Sequence, residues 1–261
     1  MSLLLNSLLS ANHIHPVQRT LAQVMVESPI TAKAGTVRQV TDYGGTIAIS
    51  DGNRWRLERL TCNWTDKPAA NAVPVGTDLR VLDYNNVIFW SDGTYWRPRG
   101  AQNLYHKNGL LTKPLATVTG ITSATFSTPV LKIPAGMITP QSKLSTQVNG
   151  RKTTGTATAA FNITLGTSNS VADLGIGGIA ITSPVNTDFY LASAAKFGSF
   201  TDRFFMQGWI GEGSTASSSG VSSDRVVNVN TNADMYLNFY ISSAKIADSF
   251  NLLSYRVTIE A

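Results

Sequence analysis

"GTVRQVTDYGGTIAISDGNRWR" occupies residues 35–56 and "GTDLRVLDYNNVIFWSDGTYWR" occupies residues 76–97. The two stretches align without a gap at an offset of 41, and 11 of their 22 positions are identical. The shared residues are Gly35/Gly76, Thr36/Thr77, Val40/Val81, Asp42/Asp83, Tyr43/Tyr84, Ile47/Ile88, Ser50/Ser91, Asp51/Asp92, Gly52/Gly93, Trp55/Trp96 and Arg56/Arg97. Such self-similarity at a fixed offset marks a duplicated structural unit. Each copy reads as a three-stranded meander. In the second, "RVLDY" is a strand, "NN" a tight turn, "VIFW" a second strand, "SDG" another turn and "YWR" a third strand. Asn-Asn, Gly-Gly and Asp-Gly all tolerate the positive φ of tight hairpin turns, which assigns Asp51, Gly52, Asp92 and Gly93 to turns. Neighbouring residues on a strand face opposite sides. Trp55 and Trp96 are therefore expected to cover a small core, with Arg56 and Arg97 facing solvent or a neighbouring subunit. A unit this small is marginal alone, so the copies are expected to pack on each other or on other chains.

The bulk composition agrees with a β protein. Charged residues make up 14% of the 261, while hydrophobic residues make up 43% and aromatics 9%. That is too apolar for a disordered chain, and the abundance of small turn-forming residues fits an all-β protein. The net charge is +5. Residues 1–100 carry ten Lys/Arg against eight Asp/Glu, and residues 101–261 carry eleven against eight. The basic excess is spread evenly and forms no run, which argues against a nucleic-acid groove. Cys62 is the single cysteine, so no intrachain disulfide forms.

The chain opens with "MSLLLNSLLS". This stretch lacks a basic n-region and is too short to span a bilayer. It reads as an anchoring arm through Leu3, Leu4, Leu5, Leu8 and Leu9, with no membrane insertion. Residues 16–28 have apolar residues at helical spacing, with Pro16 suited to the first helical position. Residues 101–116 read as a connector. From 117 onward, strands are expected at 125–133, 143–148, 156–165, 178–182, 188–191, 203–210, 225–230, 235–242 and 253–259. "IPAGM" at 133–137 ends a strand, Asn149-Gly150 is expected at a hairpin, and 211–224 is a polar loop. The fold class is all-β: an N-terminal arm with a short helix (1–34), a duplicated small β-meander module (35–100), and a C-terminal jelly-roll-like antiparallel β-sandwich (117–261).

Motifs for chemistry are few. There is no phosphate-binding loop with Lys-Ser/Thr and no Gly-x-Ser-x-Gly elbow. "GIGG" at 175–178 has no helical pattern after it and reads as a loop. The histidines are His13, His15 and His106, too scattered for a Ser/His/Asp site. Asp188, Asp202, Glu212 and Asp224 could pair for glycoside hydrolysis, but read more simply as solvated turn residues. On an extended segment His13 and His15 point to one side. Three chains around a threefold axis would then present six nitrogens to a metal; the alternative is a pair of surface histidines. Trp90, Tyr95, Tyr105, Trp209, Tyr236 and Tyr240 suit either a carbohydrate or protein surface or ordinary core packing. No catalytic residue, cofactor or metal site is assigned.

The phrase "SDGTYWRPRG" after "GTDLRVLDY" resembles the small β modules in tail fibre and minor virion proteins of tailed bacteriophages. The stretch "STPVLKIPAGMITPQSKLSTQVNGRKTTGTATAAFNITLGTSNS" is similar to the C-terminal β-sandwich of such proteins. The resemblance spans about residues 35–259. It implies a homotrimeric, non-enzymatic virion protein, assembled in the host cytoplasm. Other virion proteins would be met through the arm, and a host surface glycan or protein through the head; no nucleic acid is bound. The chain has no coiled coil or shaft repeat, so a short tail fibre, spike or tail-tip component is expected. The alternative is a capsid-attached head fibre or decorating protein. A glycan-cleaving tail enzyme is disfavoured because no acid pair stands out.

Overall fold

The computed structural model describes residues 16–110, 112–119, 123–125, 131–155, 157–168, 170, 174–181, 187–196, 203–210, 232–243 and 248–261. The five arm leucines, His13, His15, Asp202, Glu212, Asp224, the 211–224 loop and the 225–230 strand lie outside the described residues. The protein is all-β with a jelly-roll-like sandwich, and it carries two short α-helices among the described residues. It divides into two compact units, Met1–Trp96 and Arg97–Ala261.

The first unit contains two four-stranded sheets built the same way. The first runs β1 (Val17–Arg19), β2 (Val37–Val40), β3 (Thr46–Ser50) and β4 (Trp55–Leu57) in spatial order. The second runs β5 (Leu60–Cys62), β6 (Asp78–Val81), β7 (Val87–Ser91) and β8 (Trp96–Pro98), the last crossing into the second unit. Each opens with a parallel pair, Val17 opposite Arg38 and Leu60 opposite Leu79, and continues antiparallel. The repeat is thus longer than the 22 aligned residues.

Two expectations change here. Residues 17–19 form β1, and the helix α1 is only Leu21–Val26. Thr20 sets its start with a capping box: its hydroxyl accepts from Gln23 N at 3.3 Å, and its N–H donates to Gln23 Oε1 at 2.9 Å. A second helix, α2, spans Pro29–Ala32. The "LDY" tail of the expected strand is also not strand; in the first copy Thr41–Tyr43 is a 3₁₀ turn.

The second unit is a sandwich of two antiparallel sheets. Its strands are β9 (Gln102–Asn108), β10 (Ala116–Thr119), β11 (Ser123–Thr125), β12 (Leu131–Ile133), β13 (Lys143–Thr154), β14 (Ala159–Gly166), β15 (Leu174–Ile181), β16 (Thr187–Lys196), β17 (Arg203–Ile210), β18 (Met235–Ser243) and β19 (Ser249–Glu260). One sheet has the order β10-β19-β13-β16-β17, with β9 also on β19; the other has β11-β18-β14-β15, with β12 also on β18. β9 lies in the stretch read from sequence as a connector, yet it pairs with the last strand of the chain.

Aromatic rings from both sheets meet in the core. Phe161 of β14 lies 5.1 Å from Phe189 of β16, and Phe239 of β18 lies 5.3 Å from Tyr255 of β19. Those spacings are typical of favourable ring contacts.

Three further expectations fail against this sandwich. Asn149-Gly150 is not a hairpin: β13 runs straight through it, with a bulge against β19. A Cβ on Gly150 would come within 2.2 Å of the Phe189 ring, so this glycine makes room for a core side chain. "GIGG" lies inside β15, where Gly178 pairs with Asn162. Asp188 is not a turn residue; it lies in the strand expected at 188–191, bound by Arg151 at 2.5 and 2.7 Å.

Candidate functional site

The identical residues of the repeat make identical hydrogen bonds. Asp42 accepts the N–H of Leu21 at 2.9 Å, and Asp83 accepts that of Trp64 at 3.0 Å. The hydroxyl of Ser50 donates to the Pro29 carbonyl at 3.0 Å, and that of Ser91 to the Ala70 carbonyl at 2.6 Å. Each serine oxygen also accepts from its glycine, Gly52 or Gly93, at 3.1 Å. The indole N–H of Trp55 donates to the Glu27 carbonyl at 2.8 Å, and that of Trp96 to the Pro68 carbonyl at 2.9 Å. Both rings are buried, at 4% and 3% exposure. A buried indole with a satisfied N–H holds the loop that covers it.

The "SDG" turn is closed by its aspartate. Asp51 accepts the N–H groups of Asn53 and Arg54 at 3.0 and 2.9 Å, and Asp92 accepts those of Thr94 and Tyr95 at 2.8 and 2.6 Å. These two backbone donors, with Arg56 after them, hold the Asp51 carboxyl well below the usual carboxylate range. The glycines that follow have φ of +93° and +92°, a region open to few other residues. Gly44-Gly45 in one copy and Asn85-Asn86 in the other all have positive φ. The arginines differ in exposure. Arg56 is largely exposed and pairs with Asp51 at 3.0 Å. Arg97 does not simply face solvent; it donates to Thr139 Oγ1 at 3.1 Å and to the Pro140 carbonyl. Asp51, Gly52, Trp55, Asp92, Gly93 and Trp96 thus sit in turns or hydrogen bonds of the module, while the Arg56 side chain is largely exposed.

Between the two modules lies a groove of about 890 Å³. Met25, Val26, Pro29, Tyr43, Pro68 and Val75 are among its lining residues, and Val26 and Val75 are 85% and 65% exposed. Its two charged side chains are Asp42 and Arg54; Asp42 caps Leu21 and Arg54 leans on Asp51 at 3.4 Å. The groove offers apolar contact.

In the sandwich, the outward face of the six-stranded sheet is of a different kind. Cross-strand register sets two rows over β9, β19, β13 and β16. One row is Asn108, Ser254, Asn149 and Tyr190; the next is His106, Arg256, Gln147 and Ala192. Tyr190 is in turn the register partner of Trp209 on β17. Strands sit about 4.8 Å apart, so each row spans about 14 Å. The alternate residues Val148, Leu191 and Tyr255 are buried on the core side. Asn108, His106, Gln147, Asn149 and Arg256 are exposed, while Ser254, Tyr190 and Ala192 are half-buried. Asn149 Nδ2 donates to Ser254 Oγ at 2.7 Å. A small pocket of about 160 Å³ opens among His106, Asn108, Gln147, Asn149, Ser254 and Arg256. Amides and hydroxyls both donate and accept, so this surface can meet a ligand rich in hydroxyls.

Of these face residues, His106 and Asn149 are named in the sequence reading, Asn149 as part of an expected hairpin; Gln147, Tyr190, Ser254 and Arg256 fall in expected strands with no face assigned. Of the expected surface aromatics, Tyr95 is exposed at 39% and Tyr105 donates its phenol to the Lys132 carbonyl. Trp90, Tyr236 and Tyr240 are half-buried.

One titratable pair is buried in the sandwich. Lys152 and Asp248 have no exposed side-chain surface, and Nζ lies 3.8 Å from Oδ1. Burial pushes the Lys152 ammonium pKa down, and Asp248 opposes the shift. Lys152 also donates to the Ala157 carbonyl. Its enclosure makes it a structural pair. Among the described residues no group of three or more His, Cys, Asp or Glu could hold a metal, and no helix is long and apolar enough to cross a membrane.

No family model and no curated protein sequence matches the chain. Among solved structures it is similar to lectin II from Ulex europaeus, at 9% identity over 63% of this chain and 94% of that one, with a TM-score of 0.36. It is also similar to winged bean acidic lectin, at 9% identity over 62% and 93%, with a TM-score of 0.34. A third likeness is to the CBM2 module of the evolved Dit of Lactobacillus casei BL23 phage J-1, at 13% identity over 62% and 97%, with a TM-score of 0.29. With scores this low, none of them bears on what this chain does.

Proposed function

We propose that the protein is a non-enzymatic virion component of a tailed bacteriophage that attaches to the host surface through its sandwich. The observation that carries attachment is the exposed, hydrogen-bonding face of the six-stranded sheet. The framework role of the repeat residues supports a structural part over a catalytic one. The phage assignment rests on the resemblance of the "SDG–Trp-Arg" module and the "IPAG" segment to tail fibre and minor virion proteins. In this reading the protein is a homotrimer whose apolar arm, through Leu3, Leu4, Leu5, Leu8 and Leu9, docks on other virion proteins. Burial of a leucine side chain contributes about 1.5–3 kcal/mol, and several copies acting together strengthen the dock.

The test is adsorption. Purified protein added to host cells before the phage should bind the cells and slow phage adsorption. Protein that neither binds the cells nor slows adsorption overturns the attachment reading. Antibody labelling of particles should decorate the tail; label confined to the capsid would instead assign the protein to a head fibre. Deletion of residues 2–12 should abolish incorporation into particles, and sedimentation should show a trimer.

A further inference from the structure

We infer that the outward face of the six-stranded sheet binds an anionic polysaccharide, with Arg256 and His106 receiving its acidic groups and Asn108, Gln147, Asn149 and Ser254 its hydroxyls. This inference rests on the attachment reading and names the ligand class and the site.

The argument starts from charge placement. Two other cations on this face are each matched by an acid: Arg151 with Asp188 at 2.5 Å and Lys143 with Glu260 at 2.5 Å. Arg256 is not. Its register partners are His106 on one side and Gln147 on the other. Ser254, Thr258, Ser145, Asn149 and Asn108 occupy neighbouring positions on the same strands. Among the described residues no carboxylate pairs with Arg256 or His106. Placing two basic side chains directly opposite each other gains nothing for the sheet and opposes it when both are charged. The arrangement makes sense when an outside anion completes it.

The chemistry of the surrounding residues narrows the ligand. A guanidinium meets a carboxylate or phosphate through paired N–H donors. A small free anion would need little more. Here the cations sit beside a row of amides and a hydroxyl about 14 Å long, ending on the phenol ring of Tyr190. Amide rows match the many hydroxyls of a sugar chain. Ala192 keeps the row beside Gln147 low, and the bulge at Asn149/Gly150 locally bends β13. The net charge of +5 adds a general attraction toward an acidic polymer.

The experiment uses the full-length protein and three probes: oligogalacturonate, its methyl-esterified and therefore neutral form, and poly(glycerol phosphate). Binding is read by calorimetry at fixed salt. The expected result is that oligogalacturonate binds about ten-fold or more tightly than the ester, the scale of one charge-assisted hydrogen bond, while binding of poly(glycerol phosphate) alone, which carries anions but no sugar, overturns the polysaccharide assignment. Arg256→Gln should erase that advantage. Asn149→Ala should weaken every probe that binds. Both residues are exposed, so unchanged near-UV circular dichroism is expected for the two variants. Equal binding of anionic and neutral probes, full affinity in Arg256→Gln, or no binding of any probe overturns the inference. If the protein adsorbs to host cells while no probe binds, the attachment reading stands and the ligand assignment falls. If an anionic probe binds as described and the cells are not bound, the site stands and the attachment reading falls.

Discussion

The two modules of the first unit make the same hydrogen bonds with different interiors. The first buries Leu21, Val24, Val40 and Ala48; the second buries Trp64, Leu79, Val81 and Phe89, with the Trp64 and Phe89 rings 4.9 Å apart. The first crosses from β1 to β2 through a capped α-helix, the second from β5 to β6 through the 3₁₀ turns Trp64–Asp66 and Ala70–Ala72. The residues kept identical include the bond-makers and the positive-φ glycines. The residues that vary fill volume, and cores accept changed side chains when the total packing is restored. A duplicated module is therefore defined by its hydrogen-bond frame more than by its core.

The largest effect should come from the tryptophans. Trp55→Ala and Trp96→Ala should each cost about 3–5 kcal/mol, because a buried ring is removed and a loop carbonyl loses its donor. Denaturant unfolding followed on the first unit checks this, and costs differing by more than the smaller of the two would break the equivalence. Next come the two aspartates that cap the crossing segments. Asp42→Ala and Asp83→Ala should each cost about 1–2 kcal/mol, since the N–H of Leu21 or Trp64 loses its acceptor. A neutral Asp83→Ala beside a costly Asp42→Ala would show that only the helical copy depends on its cap.

The turn offers a gentler test. Gly44 and Asn85 both hold positive φ, and nothing lies closer than 3.8 Å to a Cβ built on Gly44. Gly44→Asn should therefore be tolerated within about 0.5 kcal/mol, whereas Gly44→Val should cost about 1–2 kcal/mol from the left-handed backbone alone. Thermal melts of the two variants give the comparison.

The smallest effect is electrostatic. The Asp51 carboxyl is held below its unfolded value by backbone donors and Arg56. Its contribution is thus complete above the unfolded carboxylate range and is lost as pH falls through the lowered folded value. The melting difference between the parent protein and Asp51→Asn should shrink as pH is lowered from about 5 toward about 2. A difference that stays constant over that range would mean that Asp51 acts through its turn geometry and not its charge.

How much could be read from the chain depended on how local each signal was. "GG", "NN" and "SDG" advertise positive φ, and the described turns have it. The two parallel strands β1 and β5 gave no such signal. They are three residues long, carry no alternation, and pair with partners some twenty residues away. The capping box at Thr20 and Gln23 was available in "TLAQ" and would have moved the helix start past β1. At Asn149-Gly150 the local turn signal was real, but the Phe189 ring claimed the space beside Gly150, and the strand continued.

Sequence alone determined the all-β class, the duplication and the chemistry of the turns, because φ preferences and short-range side-chain bonds act within a few residues. Only the tertiary structure decided which side chains share the outward face of the sandwich. Asn149 and Ser254 are 105 residues apart and meet at 2.7 Å. Cross-strand register is a long-range choice, made by the burial of Val148, Leu191 and Tyr255 on the opposite side. A one-residue slip would turn every polar residue of the face inward, so the core, rather than the polar residues themselves, places His106, Arg256 and Gln147 side by side.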